Sequence, residues 1–338
     1  MKISRESLLQ VLEQVEAGLA TKEVVEQSSC YVFTGSEVVT FSGEVCARVK
    51  LAAPVQGAVS ARHLKELLLR ITEDEIKLAT ADDNLRISSK GGRGSIAMQA
   101  EVRLPIDQVE TPAEDAWGDL HPEFADAVDV VGSAAAKNDQ NYKLLCVHCT
   151  PDHLEACDNY QLARYPLQTG LTACSMVRRD SLRHVVALGM TEVSETETWL
   201  HFRNPAGLVV SMRRWSEDYE NLDSIIAGVQ DTQPTTLPGG IEEAVQRTGV
   251  FSGDNGAASD VVRVDLLENE MRLRGEGAGG WWEERKRVKY AGPKIGFLIA
   301  PRLLLELGSK GQECDVSRGA LRVDTGKFTY ITATTAGE

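Results

Sequence analysis

Apolar residues recur along this chain at helical spacing, three times in the same setting. Leu64, Leu67, Leu68 and Ile71 share one face of a helix that opens with Ser60-Ala61-Arg62, because residues three and four apart stack along a helix. Leu182, Val185 and Leu188 share a face after Val177-Arg178-Arg179, and Leu304, Leu305 and Leu307 pack after Ala300-Pro301-Arg302. An earlier helix precedes each of these. Leu8, Leu9, Leu12, Val15 and Leu19 mark the first, residues 124–136 the second and residues 241–247 the third. Behind each later helix the pattern changes to alternation. Residues 75–78 and 85–87, 199–202 and 208–212, and 314–316 and 320–323 read as antiparallel hairpins, joined by Asp-, Asn-, Pro- or Gly-rich turns.

The spacing of these blocks sets the architecture. Arg62, Arg179 and Arg302 occupy matching places, 117 and 123 residues apart. That repeat is too long for a solenoid unit of roughly 20–50 residues and is the size of a small domain. The pattern predicts an α+β protein of three like domains, 1–113, 114–232 and 233–338, each with two helices packed on antiparallel sheet. Residues 111–115 and 230–240 are the candidate linkers, the second holding Pro234, Pro238, Gly239 and Gly240.

Composition narrows the class. The 338 residues are 42% hydrophobic and 25% charged, as expected of folded globular domains. No apolar run reaches the roughly 18 residues of a membrane span, and Met1-Lys2-Ile3-Ser4-Arg5-Glu6 is no signal peptide. A cytoplasmic protein, of a bacterium or a phage-infected cell, is expected, with no membrane partner. Seven cysteines fit reduced thiols better than a disulfide framework. The net charge of −14 argues against nucleic acid only as an average; what matters is where positive charge sits. Arg62 and Lys65, Arg179 and Arg183, and Arg302 lie opposite the apolar faces of the three later helices.

Three segments carry a family resemblance. Leu154-Glu155-Ala156-Cys157-Asp158-Asn159-Tyr160-Gln161-Leu162-Ala163 resembles the Ala-Thr-Asp-Gly-x-Arg-Leu-Ala signature of the middle domain of bacterial β sliding clamps, the DNA polymerase III β subunit family. Trp215-Ser216-Glu217-Asp218-Tyr219 resembles that family's Phe-Pro-Asp-Tyr segment, and Ile295-Gly296-Phe297-Leu298-Ile299 its Ile-Gly-Phe-Asn strand. The order of these marks matches over nearly the whole chain. Cys157, Asn159 and Gln161 replace the usual Thr, Gly and Arg, Glu217 stands where Pro is usual, and the apolar Met-Pro tail is missing. These departures suggest a divergent, phage-encoded or otherwise remote clamp.

The resemblance implies a non-enzymatic processivity factor without cofactor. Two chains would close into a ring around double-stranded DNA, contacted without regard to sequence. It implies DNA contacts at Arg62, Lys65, Lys137, Arg178, Arg179, Arg183, Arg247, Arg302 and Lys310, at Lys22 in the loop after the first helix, and at Asn141, Tyr142 and Lys143. It places Ile96, Met98, Val250 and Phe251 at the homodimer interface. It puts a pocket for short linear peptides of the polymerase and clamp loader at Tyr160, Gln161, Leu162, Asn221, Leu222, Arg318, Ile331 and Ala333. The competing reading is a clamp-fold scaffold that binds proteins and does not encircle DNA.

Other chemistry fits less well. Cys146-Val147-His148-Cys149, with His153 and Cys157 beyond, has zinc-like spacing. Residues 143–148 read as a strand, however, where side chains three apart point to opposite faces, so no metal is expected. A cysteine hydrolase built on Cys157 and His153 lacks an orienting third group. Gly275 to Gly280 is glycine-rich but lacks the Lys and Ser/Thr of a phosphate loop, so a hairpin turn is expected there.

Overall fold

The computed structural model describes residues 1–252 and 260–337. Among these residues there are seven α-helices: α1 Arg5–Gln14, α2 Ala61–Arg70, α3 Phe124–Gly132, α4 Arg179–Leu188, α5 Asp223–Gly228, α6 Ile241–Gly249 and α7 Pro301–Lys310. Six are the predicted pairs; the short α5 is not predicted. The amphipathic faces explain their seats. Leu8, Leu9 and Leu12 of α1, Leu64 and Leu68 of α2, and Leu303, Leu304 and Leu307 of α7 are buried. In α7, Leu303 takes the core place expected for Leu305, which is half-buried.

Local chemistry sets the helix ends. The Ser4 and Ser60 hydroxyls accept hydrogen bonds from the Ser7 and His63 amides and cap α1 and α2. Pro301 opens α7, where its missing N–H costs nothing. Gly189, at φ 60°, closes α4 in the left-handed conformation that glycine adopts without strain. Two expected helices are shorter than predicted. The first ends at Gln14 and continues as a 3-10 turn, Val15–Gly18. The third ends at Gly132, whose backbone freedom disfavours helix, rather than at residue 136. Likewise 142–145 is a 3-10 turn and only Cys146–Cys149 is strand.

Contacts divide the chain into two compact units. The first comprises Met1–Asp126, Cys149–Pro151 and Gln168–Glu217; the second comprises Ala127–His148, Asp152–Leu167 and Asp218–Glu338. Residues 114–232 contribute to both. Sheet pairing across the sequence repeats accounts for this. In the first unit a long antiparallel sheet runs through Gly118–Asp119, Glu192–Glu195, Trp199–Arg203, Val209–Trp215, Val45–Lys50, Glu37–Phe41, Cys30–Thr34 and Gln56–Ser60. Its central step joins the first sequence repeat to the second, with Val210 opposite Ala47 and Ser211 opposite Cys46. Lys2–Ser4, Glu75–Ala81, Asn84–Ser88 and Arg93–Gln99 form a further set of paired strands. Phe41 meets Trp199 edge to face, with ring centroids 5.9 Å apart, within a core that includes Val32, Val39, Leu104 and Val109.

The second unit repeats the arrangement. Its sheet runs His153–Cys157, Gln161–Pro166, Thr329–Ala333, Ala320–Asp324, Glu313–Ser317 and Gln233–Thr236. Here Leu162 opposite Ile331 joins the second repeat to the third. The expected linker 230–240 therefore contains a strand. A five-stranded sheet of Gly280–Arg287, Glu270–Gly277, Val262–Leu267, Ile295–Ile299 and Thr335–Ala336 completes the unit. Glu270–Gly277 and Gly280–Arg287 form the hairpin predicted around Gly275 to Gly280. At Gly275 an added Cβ would lie 1.8 Å from the Thr248 carbonyl oxygen on α6, so only glycine lets helix and strand approach this closely.

Candidate partner groove and nucleic-acid interface

The second unit contains a groove of about 760 Å³. Its floor is a buried cluster of Leu144, Cys157, Leu162, Leu222 and Ile331, flanked by Tyr219, Ile226, Val229 and Ala320. All eight residues expected at a partner pocket (Tyr160, Gln161, Leu162, Asn221, Leu222, Arg318, Ile331 and Ala333) line this one groove. The cross-strand pair Leu162 and Ile331 brings the second and third repeats together beneath it. Sequence reasoning missed α5, which contributes Ile225, Ser224 and Gly228 to the lining. Its signal was present: Leu222, Ile225, Ile226 and Val229 follow helical spacing.

The groove's shape depends on a saturated polar cluster. The Asp158 carboxylate accepts from the Tyr160 and Gln161 amides at 2.7 and 2.9 Å, closing the turn between its two strands. Gln161 is buried, and its amide donates to the Ser133 carbonyl and to Asp158 at 3.2 and 3.0 Å while its oxygen accepts from the Tyr330 hydroxyl. Gln161 therefore leaves none of its side-chain polar atoms unpaired. The Tyr219 hydroxyl accepts from the Cys157 amide at 3.0 Å. Burial pushes the Cys157 thiol above its ordinary pKa, so it behaves as an apolar wall and not a nucleophile. Arg318 and Glu220 are exposed residues in the lining and place opposite charges within it.

Exposed charge of both signs lies on the helices, Glu66 on α2, Asp180 on α4 and Arg247 on α6 standing beside the residues that follow. The second helix of each repeat presents cations: Arg62 on α2, Arg183 on α4 and Arg302 on α7 are exposed, and Arg178 is exposed at the start of α4. The first helix presents carboxylates: Glu6 and Glu13 on α1, Asp126 and Asp129 on α3, and Glu242 and Glu243 on α6. Several of these acids lie in first turns, where the helix dipole favours them.

The expected DNA contacts differ in how free they are. Lys22, Lys137, Asn141 and Tyr142 are exposed. Arg62 pairs with Glu66 at 3.0 Å and Lys65 with Glu16 at 2.5 Å. Lys143 donates to the Asp218 carbonyl at 2.5 Å, and Arg179 is half-buried. Both Nε and an Nη of Arg247 bond to Glu284. Lys310 is 11% exposed, 2.9 Å from Glu306 and over the Tyr330 ring, so its charge is turned into the fold. Arg302 covers the Tyr160 ring at 5.7 Å and lies 3.9 Å from Asp158, which ties it to the groove.

Among the edge strands, Arg93–Gln99 and Gly280–Arg287 are long and largely open on one side. Arg93–Gln99 pairs with Asn84–Ser88, and only its end, at Met98 and Gln99, also pairs with Gln56–Ser60. Ile96 is half-buried on this edge, whereas Met98 is buried by its own chain. Gly280–Arg287 pairs only with Glu270–Gly277 and carries the exposed Trp281 and Trp282. Arg274 lies over Trp281 at 4.6 Å, and the Trp282 indole donates to Glu284 at 2.9 Å. Val250, 69% exposed, and the half-buried Phe251 follow α6 beside this hairpin.

Solved structures share this arrangement from end to end. The chain matches the DNA polymerase III beta subunit of Pseudomonas aeruginosa with a TM-score of 0.81 at 17% identity, covering 100% of both chains. The fold is that of the β sliding clamp. The beta subunit of Thermotoga maritima matches this clamp fold at 0.83 and 17% identity over 100% of this chain and 99% of that one. A sliding clamp of Bartonella birtlesii bound to griselimycin matches at 0.85 and 14% identity, again over 100% and 99%. No family model and no curated protein matches the sequence. What the chain shares with these structures is the α+β clamp architecture.

Proposed function

We propose that this chain is a DNA sliding clamp, a processivity factor that encircles double-stranded DNA and tethers a polymerase and other partners. The observation that carries this reading is the full-length clamp fold, in which the later helix of every repeat presents arginine. Three domains, 1–113, 114–232 and 233–338, would be doubled by a second copy to six. The open edges Arg93–Gln99 and Gly280–Arg287 supply unpaired backbone donors and acceptors for a head-to-tail homodimer. Exposed Trp281, Trp282 and Val250 supply apolar surface at that junction.

Contact with DNA through Arg62, Arg178 and Arg183 would be to phosphates, independent of sequence and sensitive to salt. Retention would come from ring closure, so weak contact suits a sliding protein. The acidic faces of α1, α3 and α6 keep the attraction low. The groove would take short linear peptides of the polymerase and clamp loader, with leucine or phenylalanine side chains on Leu162, Leu222 and Ile331. Electron microscopy of the purified full chain tests the reading. Closed rings of six lobes around a duplex-wide hole are expected; solid particles would overturn it.

A further inference from the structure

Behind the groove, on the far side of Tyr219, the second unit gathers a different set of side chains. The Tyr219 ring stacks on His148 with centroids 4.9 Å apart. His148 Nδ1 lies 2.8 Å from Glu155 Oε1, and His153 Nε2 lies 3.5 Å from Glu155 Oε2. One ligand atom from each of the three falls within 4.8 Å of the others. His153 and Glu155 are two apart on the strand His153–Cys157 and share a face, which brings both toward His148.

We propose that His148, His153 and Glu155 form a binding site for a divalent transition-metal ion, with Zn²⁺ the ion its donors favour. Two imidazoles and one carboxylate, leaving a position for water, form a donor set that zinc accepts. Hard cations such as Mg²⁺ prefer all-oxygen surroundings. Ligands at zinc–nitrogen distances in a tetrahedron stand about 3.3 Å apart. His148 Nδ1 and Glu155 Oε1 lie 2.8 Å apart, and the three ligand atoms fall within 4.8 Å of one another, so side-chain rotation has to close about 1.5 Å at most.

The surroundings are those of a supported metal site. Asp152 Oδ1 lies 2.9 Å from His153 Nδ1 and holds the proton there, leaving Nε2 as the coordinating lone pair. Arg164 donates two bonds to Glu155 Oε2, at 2.9 and 2.6 Å, which orients the carboxylate. Oε1, the oxygen facing His148, is thus the one available for the ion. Asp223 holds Arg164 in turn at 2.5 Å. Glu155 and Asp223 share the Arg164 guanidinium, and Asp152 adds a further carboxylate beside His153, so acidic groups outnumber the one guanidinium here. His148 and His153 are partly exposed, which provides an entry path. The cysteines that suggested zinc in the sequence are not in this cluster. Cys146 and Cys149 are buried in the preceding strand.

The test uses the full chain freed of metal and needs neither DNA nor a partner, so its outcome is independent of the clamp reading. Zn²⁺ is titrated against a chromophoric chelator at pH 7.5. One equivalent per chain at micromolar or tighter affinity is expected. His153→Ala and His148→Gln should each weaken binding at least tenfold, and Asp152→Asn should weaken it by roughly tenfold through loss of orientation alone. Circular dichroism confirms that each variant is folded. Co²⁺ should give the intense visible bands of a four-coordinate ion in the parent and lose them in His153→Ala. Affinity no tighter than millimolar overturns the site, as does stoichiometric binding that survives both histidine substitutions or is abolished by thiol alkylation.

Discussion

Single residues show where the sequence could be read and where it could not. His201 gave no signal in the sequence because its partners, Ser211 and Thr196, meet it only through sheet pairing and a turn. It is fully buried, with Nδ1 2.8 Å from the Ser211 hydroxyl and Nε2 3.0 Å from that of Thr196. Burial, with Arg48 nearby, pulls its pKa down to about 4. A depressed histidine pKa means that the unfolded chain binds the proton more readily. Stability is therefore complete above the ordinary pKa of about 6.5 and falls as pH drops toward 4. Between pH 7 and pH 5 this one group should cost about 2 kcal/mol of stability. Urea unfolding of the parent and of His201→Gln at both pH values checks this, and the variant should lose that much less on acidification. Gln161 teaches a related lesson. Its departure from the family motif was visible, but its three polar partners, far apart in sequence, were not. Gln161→Ala should destabilise the fold by about 1–3 kcal/mol in urea unfolding, since the Ser133 carbonyl and the Tyr330 hydroxyl lose a buried partner.

At the scale of elements, periodicity revealed the six paired helices because each buries one stripe and solvates the rest. It missed α5, since six residues make fewer than two turns. That helix nonetheless shapes the groove. Ile225 is exposed on it, so Ile225→Asp should leave the melting temperature near the parent's. It should weaken a fluorescent peptide with adjacent leucine and phenylalanine anchors about tenfold, by fluorescence anisotropy. The helical cations divide in the same way. Basic residues on the helices were legible in the sequence, but the distant partner of Arg247, Glu284, was not. Arg183 faces solvent, so Arg183→Ala should flatten the log–log salt dependence of DNA binding by about 0.9. Arg247→Ala should leave that slope unchanged, because Glu284 already holds the guanidinium through two bonds.

At the scale of the whole molecule, the matched spacing of the helix pairs was legible because it rests on sequence alone. The division into two compact units was not, because it depends on strand pairs from different repeats. Closure with a second copy would use the long open edges Arg93–Gln99 and Gly280–Arg287. Ile96→Glu combined with Phe251→Glu should give soluble monomers by sedimentation velocity, and a dimer that persisted would remove this assignment. The pairings across repeats have another consequence. Repeated units with identical edges would join in any order and polymerise. Here the two joints are chemically distinct. The first sets Val209 against Arg48, Val210 against Ala47, Ser211 against Cys46 and Met212 against Val45; the second sets Gln161 against Thr332, Leu162 against Ile331, Ala163 against Tyr330 and Arg164 against Thr329. No pair of residue types is common to both, so each edge carries its own address and one chain lays down its repeats in a single order.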